Sequence, residues 1–306
     1  MPAVAPPFLA GTSPVSIGIP RSPIDIIEPE WSAGEHVLRT RSPEELLARF
    51  PVAPLGWHDY ADLWLNEWLG VFLDYGCGSG SLLRRVVDRC SACWGVDVDD
   101  EPLERARQIP RVRVQAIVPG EPLPFGAATF DNISITEVIE HVADERGVLA
   151  DLTRVLKPGG HLLLTTPHRG LLTFLDPANV KFVVPRVHRF VHAVPLRNRA
   201  YYDARFGNTR KTKQNMIADF TLDQRPWHRH YKYEQIRTMA PPELETVGWA
   251  VYFPAMRALW LLGTVVQIAS LGRVKNTGDR FGRLKSLLSR RQTRLGDQLV
   301  VLFRKR

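Results

Sequence analysis

Between residues 69 and 167 the chain alternates between short, nearly continuous apolar runs and longer stretches in which apolar residues return every three or four positions. The first pattern reads as buried strand and the second as amphipathic helix. Strands are predicted at 71–74, 93–98, 112–116, 130–136 and 161–166. Helices fall between them at 81–88, 101–108 and 146–156, the last stopped by Lys157-Pro158-Gly159-Gly160. A further helix over 57–68 precedes the first strand. Its Leu63, Trp64, Leu65 and Trp68, with Leu69 beyond, lie near one face, so its aromatics read as core rather than as a ligand cage. After Pro167 the alternation lapses, then resumes with a helix at 233–239, a strand at 249–253, an apolar helix at 258–271 and a last strand at 298–303.

Short apolar strands joined by helices need right-handed crossovers, and therefore a mainly parallel sheet covered on both faces. The predicted fold is a doubly wound, Rossmann-like α/β domain with an antiparallel last strand. Residues 1–54 form a proline-rich, partly flexible extension with one helical stretch at 43–50, and 55–170 form the core. Residues 171–230 form an inserted substrate or lid segment, and 231–306 return to the core with the apolar helix and a basic tail.

Composition narrows this only slightly. A chain of 306 residues, 44% hydrophobic and 24% charged, has ordinary soluble composition. Cys77, Cys90 and Cys93 provide neither a disulfide framework nor a zinc knuckle, and Cys90-Ser91-Ala92-Cys93 runs into an apolar strand, so reduced cytoplasmic thiols are expected. The start lacks a basic region followed by an apolar block, which argues against a secretory signal. The apolar helix at 258–271 is shorter than the roughly 20 residues that span a bilayer, so it is buried or interfacial. A cytoplasmic protein, peripheral to a membrane at most, is predicted. The net charge of +8 is concentrated in 169–237 and in 273–306. An acidic substrate, a nucleic acid or an anionic lipid surface would each be attracted, and a merely solvated basic surface would look the same.

The chemistry is concentrated at the carboxyl ends of the strands. Gly76, Gly78 and Gly80 lie between strand and helix, where missing side chains let the backbone turn sharply and approach a ligand. Their spacing is not the G-x-G-x-x-G of dinucleotide enzymes, which counts against NAD. Asp97 ends the next strand, nineteen residues past Gly78, where a carboxylate can accept both hydroxyls of a ribose. A turn or helix-cap role shared with Asp99 and Asp100 is the structural alternative.

Five motifs in order resemble the class I S-adenosylmethionine-dependent methyltransferases. They are Leu73-Asp74-Tyr75-Gly76-Cys77-Gly78-Ser79-Gly80, Gly95-Val96-Asp97, Leu123-Pro124-Phe125 with Phe130-Asp131, Glu137-Val138-Ile139-Glu140-His141-Val142, and Arg154-Val155-Leu156-Lys157-Pro158-Gly159-Gly160. The resemblance implies S-adenosylmethionine as cofactor, with its methionine end on the loop of Asp74, Gly76, Cys77, Gly78 and Gly80. It also implies the ribose on Asp97 and adenine against Val98. Family members carry an acidic residue before Leu-Pro-Phe that bonds the adenine amine. This segment reads Ile117-Val118-Pro119-Gly120-Glu121-Pro122, which leaves Glu121 as the substitute.

Glu137, Glu140 and His141 follow the fourth strand, where the methyl group meets its acceptor. Spaced i, i+3 and i+4, they would share one face of a helical turn. His141 has the ordinary pKa of a general base for a hydroxyl acceptor, and the alternative is a divalent metal held by the three side chains. The cluster resembles that of the ubiquinone-pathway O-methyltransferases and of the small-RNA 3′-end 2′-O-methyltransferases. In the RNA branch a downstream histidine completes a metal site. Trp227-His228-Arg229-His230-Tyr231 occupies the comparable place, which implies His230, then His228, as the fourth ligand. A structural role, with the glutamate capping a turn, remains the third reading.

Substrate choice belongs to the insertion, where Phe174, Phe182, Phe190, Tyr201, Tyr202 and Phe206 interleave with Arg186, Arg189, Arg197, Arg199, Arg205 and Lys211. These suit a sugar, an aromatic ring or a phosphate, or simply a lid. No RRM, KH or OB signature supports RNA. The reading is an O-methyltransferase acting on a hydroxyl of a small metabolite, with a glycosyl, natural-product or lipid-linked acceptor, and compatible with a homodimer. Its rivals are a metal-dependent RNA 3′-end methyltransferase and a non-catalytic partner that retains the fold.

Overall fold

The computed structural model describes residues 57–65, 68–170, 185–194, 229–254 and 296–306, with a few single positions between them. The extension 1–54 with its helix at 43–50, most of the insertion, His228, and most of the apolar helix at 258–271 lie outside the described residues.

Seven strands form one sheet in the order β3-β2-β1-β4-β5-β7-β6. They are β1 (Gly70–Tyr75), β2 (Cys90–Asp97), β3 (Val112–Ala116), β4 (Phe130–Thr136), β5 (Leu156–Pro167), β6 (Leu244–Pro254) and β7 (Gly296–Lys305). The first five are mutually parallel, and β7 runs antiparallel to both β5 and β6. The helices are α1 (Trp57–Trp64), α2 (Leu83–Val86), α3 (Asp100–Ala106), α4 (Glu145–Val155), α5 (Pro185–Ala193) and α6 (Tyr233–Met239). The doubly wound sheet expected from the alternation is therefore what forms, and its last strand is antiparallel, as expected for the fold.

The period of two along each strand divides the core between the two faces. Phe72, Leu163, Val300 and Leu302 join Tyr60, Leu63 and Trp64 of α1, Leu83 of α2 and Leu103 of α3. Leu73, Ile133, Ile135, Leu162, Leu164, Val301 and Phe303 point the other way, onto Leu149, Leu152 and Val155 of α4 and Ile236 of α6. Leu63, Trp64, Leu65 and Leu69 are core, as their spacing suggested, but the helix stops at Trp64 instead of reaching 68, and Trp68, expected on the same face, is 63% exposed. The Trp64 indole N–H donates to the Tyr252 hydroxyl at 2.8 Å, and Tyr60 stacks on Tyr252 with ring centroids 4.4 Å apart.

Several boundaries differ from those expected. β2 starts at Cys90, with Gly70 opposite Cys90 and Val71 opposite Ala92, so one extra residue is absorbed as a bulge. The helix expected over 81–88 is α2 followed by a 3₁₀ turn at Val87–Arg89. Lys157-Pro158-Gly159-Gly160 is not a break before β5. It loops out between the pairs Phe130–Leu156 and Asn132–His161, and Lys157 Nζ donates to Asp131 Oδ1 at 2.8 Å. The other oxygen of Asp131 accepts the Val71 N–H at 2.8 Å, so this motif ties the entries of β1, β4 and β5 together.

Candidate active site

The loop after β1 is shaped by its own backbone. The N–H groups of Gly76 and Cys77 both donate to the Val96 carbonyl, and Gly80 N–H donates to the Cys77 carbonyl. Gly80 has φ +78°, and a Cβ there would lie 2.3 Å from Ile109 Cδ1. Gly78 has φ +51°, and a Cβ there would meet nothing within 4 Å, so this glycine opens onto free space rather than onto protein. Its N–H donates to Asp97 Oδ2 at 2.8 Å, and Asp99 N–H donates to Asp97 Oδ1 at 3.1 Å. Two backbone donors thus orient one carboxylate beside the open glycine, and each of its oxygens keeps capacity for a second donor. Asp99 separately caps α3 by accepting from Glu101 N–H at 3.1 Å, so the cap role belongs to Asp99 and not to Asp97.

Two other loop residues point inward. Asp74 is 3% exposed, and its carboxyl accepts from Ser134 Oγ at 2.6 Å across the β1–β4 pair. Burial, with the nearby Asp97 charge, raises its pKa to about 7 against the Ser134 hydrogen bond. Cys77 is buried against Gly95, and burial pushes its thiol far up, so its side chain packs the base of the loop.

Beside the loop lies a cleft of about 430 Å³ whose walls include Tyr75, Val98, Glu121, Leu123, His141 and Val142. Val98 and Glu121, expected at the adenine end, both face it, and Glu121 is exposed. The Leu123-Pro124-Phe125 wall is held from α4. Leu123 N–H donates to Asp151 Oδ2 at 2.6 Å, and Arg154 donates to the carbonyls of Phe125 at 2.7 Å and Leu123 at 3.0 Å. Two of the recognised motifs are therefore tied to each other, with Leu123 facing the cleft.

The Glu137-Glu140-His141 cluster departs from the expected geometry. Glu137 has φ +56° and so leaves the helical path, and only Ile139–His141 forms a turn, of 3₁₀ type. The three side chains do not share one helical face. The Glu137 carboxylate accepts from Thr165 Oγ1 at 3.0 Å and from the Gln298 side-chain amide. Glu140 is 1% exposed and accepts from Thr166 Oγ1 at 3.1 Å. Burial, then the Glu137 charge, raises its pKa well above the carboxylate range, against its backbone hydrogen bond, Thr166 and Arg229. His141 reaches the cleft wall with its side chain 21% exposed and its Nε2 3.7 Å from Glu140 Oε1. Among the described residues, no three His, Cys, Asp or Glu side chains are grouped to hold a metal ion. The proposed ligand set of Glu137, Glu140, His141 and His230 is thus not brought together, because hydroxyl and amide donors have turned the two glutamates to separate partners.

His230 is buried on a segment locked to this turn. Tyr231 N–H donates to the Pro167 carbonyl, and His168 pairs with Tyr231 in an isolated parallel bridge. Arg229 Nε donates to the Glu140 carbonyl at 2.9 Å, and its other nitrogens reach the Val142 carbonyl and the Glu145 carboxylate. The Tyr231 hydroxyl also donates to Glu145 at 3.0 Å. In Trp227-His228-Arg229-His230-Tyr231 the residue types single out only the histidines. The arginine between them anchors the segment to the His141 turn, and Thr165, Thr166 and Gln298, which no motif marks, hold the two glutamates.

Comparisons with known proteins bear on this site. Residues 73–164 match the model of a methyltransferase domain. The chain is 31% identical over 114 residues to the ubiquinone biosynthesis O-methyltransferase of Vibrio parahaemolyticus, which covers 34% of this chain and 46% of that protein. It is 28% identical over 123 residues to the enzyme of the same name from Acinetobacter baylyi, covering 37% and 52%. The chain thus spans about half the length of the curated relatives it matches. Among solved structures it is similar to an S-adenosylmethionine-dependent methyltransferase from Mesorhizobium loti, 17% identical with a TM-score of 0.46, over 82% of this chain and 98% of that one.

Proposed function

We propose that this chain, which carries a class I S-adenosylmethionine-dependent methyltransferase domain, methylates a hydroxyl of a small acceptor. A glycosyl or natural-product acceptor is the favoured class, and the name of the ubiquinone-pathway relatives supports oxygen as the methylated atom. The observation that carries the reading is the Asp97 carboxylate, held by the Gly78 and Asp99 amides beside a glycine that faces open space. That arrangement fits the cofactor, with Asp97 accepting from the ribose hydroxyls and Val98 and Glu121 at the adenine end. When bound, the cofactor supplies a methyl group on a cationic sulfur.

The chain's own contribution is to hold the acceptor oxygen and to take its proton. His141 is the group placed to do so, because it lines the cleft, with Glu140 Oε1 3.7 Å from its Nε2. His141 would take the hydroxyl proton on an imidazole nitrogen, which leaves the acceptor oxygen nucleophilic towards the methyl carbon, from which the sulfur would depart. Glu140 orients the ring from a buried position, fixed in turn by Thr166. The glutamates act here as supports of the turn and not as metal ligands.

Calorimetry with S-adenosylhomocysteine tests the cofactor assignment, and a full-length protein without affinity for it refutes that assignment. A labelled methyl donor and a panel of phenols and glycosides then test the base. His141→Ala should lower turnover at saturating cofactor and flatten its pH dependence. Turnover should survive exhaustive chelation, and its loss would restore the metal reading.

A further inference from the structure

We propose that the outer face of α5 docks this protein onto an anionic lipid bilayer, lying in the plane of the surface. The helix covers Pro185–Ala193, and Val194 N–H still donates to the Phe190 carbonyl at 2.9 Å. Val187 is 57% exposed, Phe190 60% and Val194 54%. Spaced three and four residues apart, these side chains project within about 60° of one another around the helix axis. They form an exposed apolar stripe that none of the described residues covers, and a contiguous stripe of this kind marks an interaction surface more than does a single exposed leucine.

Charge identifies what meets that stripe. Arg186 and Arg189, on the same helix, are also exposed. Between Asp176 and Asp203 the sequence contains Lys181, Arg186, Arg189, Arg197 and Arg199 and no acidic residue. A second copy docked through this face about a two-fold axis would bring two such cationic segments together, which opposes association. A nucleic acid would satisfy the arginines but gives two valines no aromatic stacking to make. An anionic bilayer satisfies both groups, with headgroups for the arginines and acyl chains for Val187, Phe190 and Val194. At nine residues α5 is about 14 Å long, too short to cross a bilayer and long enough to lie in its interface. The proposal stands apart from the assignment of His141 and the cofactor loop, since none of these residues lines the cleft.

The test is co-sedimentation of the full chain with vesicles of phosphatidylcholine alone and with vesicles of phosphatidylcholine and phosphatidylglycerol in equal parts. Binding is expected to the mixed vesicles only and to weaken with salt. Val187→Ser/Phe190→Ser/Val194→Ser should reduce the bound fraction at least tenfold. Arg186→Glu/Arg189→Glu should reduce it by a similar factor, since each arginine near such a surface contributes about fivefold. The charge-reversal variant keeps the apolar stripe, so it remains informative should the serine variant fold poorly. The proposal is overturned if the wild type ignores the mixed vesicles, or if correctly folded variants bind them as well as it does. It is also overturned if the serine substitutions instead turn an oligomer into a monomer in analytical ultracentrifugation, or abolish binding to a single-stranded oligonucleotide while vesicle binding is unchanged.

Discussion

Replacing Asp74 by asparagine should change how stability depends on pH. The carboxyl titrates near 3.8 in the unfolded chain and at about 7 in the folded one, chiefly because it is buried beneath the glycine loop. Between those values the folded protein keeps a proton that the unfolded chain has released. The stabilising contribution is therefore complete below the unfolded pKa and is lost as pH rises through the folded one. At about 1.4 kcal/mol per pH unit, the loss between pH 4 and pH 7 amounts to about 4 kcal/mol. Asp74→Asn keeps the shape and an oxygen for Ser134 Oγ but stays neutral throughout. Urea unfolding of both proteins at intervals from about pH 4 to about pH 8 gives the difference in stability at each pH. Other carboxyls titrate in both proteins and cancel, and a poor fit of the amide adds only a constant. The difference should move by about 4 kcal/mol in favour of asparagine as pH rises to 7, then level off. Two parallel stability curves would refute the reasoning.

Three further outcomes can be checked directly. Gly80→Ala forces a Cβ against Ile109 at φ +78°, and should lower stability by about 2 kcal/mol in denaturant unfolding; a wild-type midpoint would contradict the loop geometry. Asp97→Ala removes the acceptor of two amides and the proposed ribose anchor, and should weaken S-adenosylhomocysteine about thirtyfold by calorimetry, equivalent to about 2 kcal/mol, whereas unchanged affinity would place the ribose elsewhere. Arg229→Ala strips two carbonyls and Glu145 of a shared donor and should lower stability by about 3 kcal/mol, with lysine restoring only part because it cannot fork to three acceptors; a stable alanine variant would show that the turn holds itself.

Much of this fold could be read from periodicity because strands buried on both faces leave continuous apolar runs, as at 299–303 in β7, while Phe130–Thr136, with Ile133 and Ile135 at alternate positions, is predicted and found with the same bounds. Where the apolar pattern breaks near a strand's start, periodicity places that start too late. β6 begins at Leu244, five residues before the expected start at Trp249, and its Glu245 gave no strand signal. The glycine loop and Asp97 were visible as a pair because their link is short-range in topology, one strand to its neighbour. The Glu137 cluster was not, since helical spacing was assumed for a residue whose backbone turns left-handed. The two donors to Glu137 are Thr165 and Gln298, 28 and 161 residues away, and no local pattern reports partners at those distances. Arg229 was overlooked for a related reason. Its three acceptors include two backbone carbonyls, which have no side-chain signature to find.

The place of β7 in the sheet has a consequence for the order in which the molecule can assemble. β6 touches the rest of the sheet only through β7, which is made after it and must slide between β6 and β5. While the chain emerges from the ribosome, β6 has no neighbour to pair with, and Tyr252 cannot yet be fixed beneath Tyr60 and Trp64. The parallel half, β1 to β5, can form first, and the nascent protein waits with one sheet edge unpaired until residues 296–305 arrive. The same late strand brings Gln298 to Glu137 and the Gly296 carbonyl to His168. The partners of Glu137 and His168 thus arrive with the final insertion, so a polypeptide halted before β7 would carry the glycine loop and Asp97 with Glu137 and His168 still lacking these contacts.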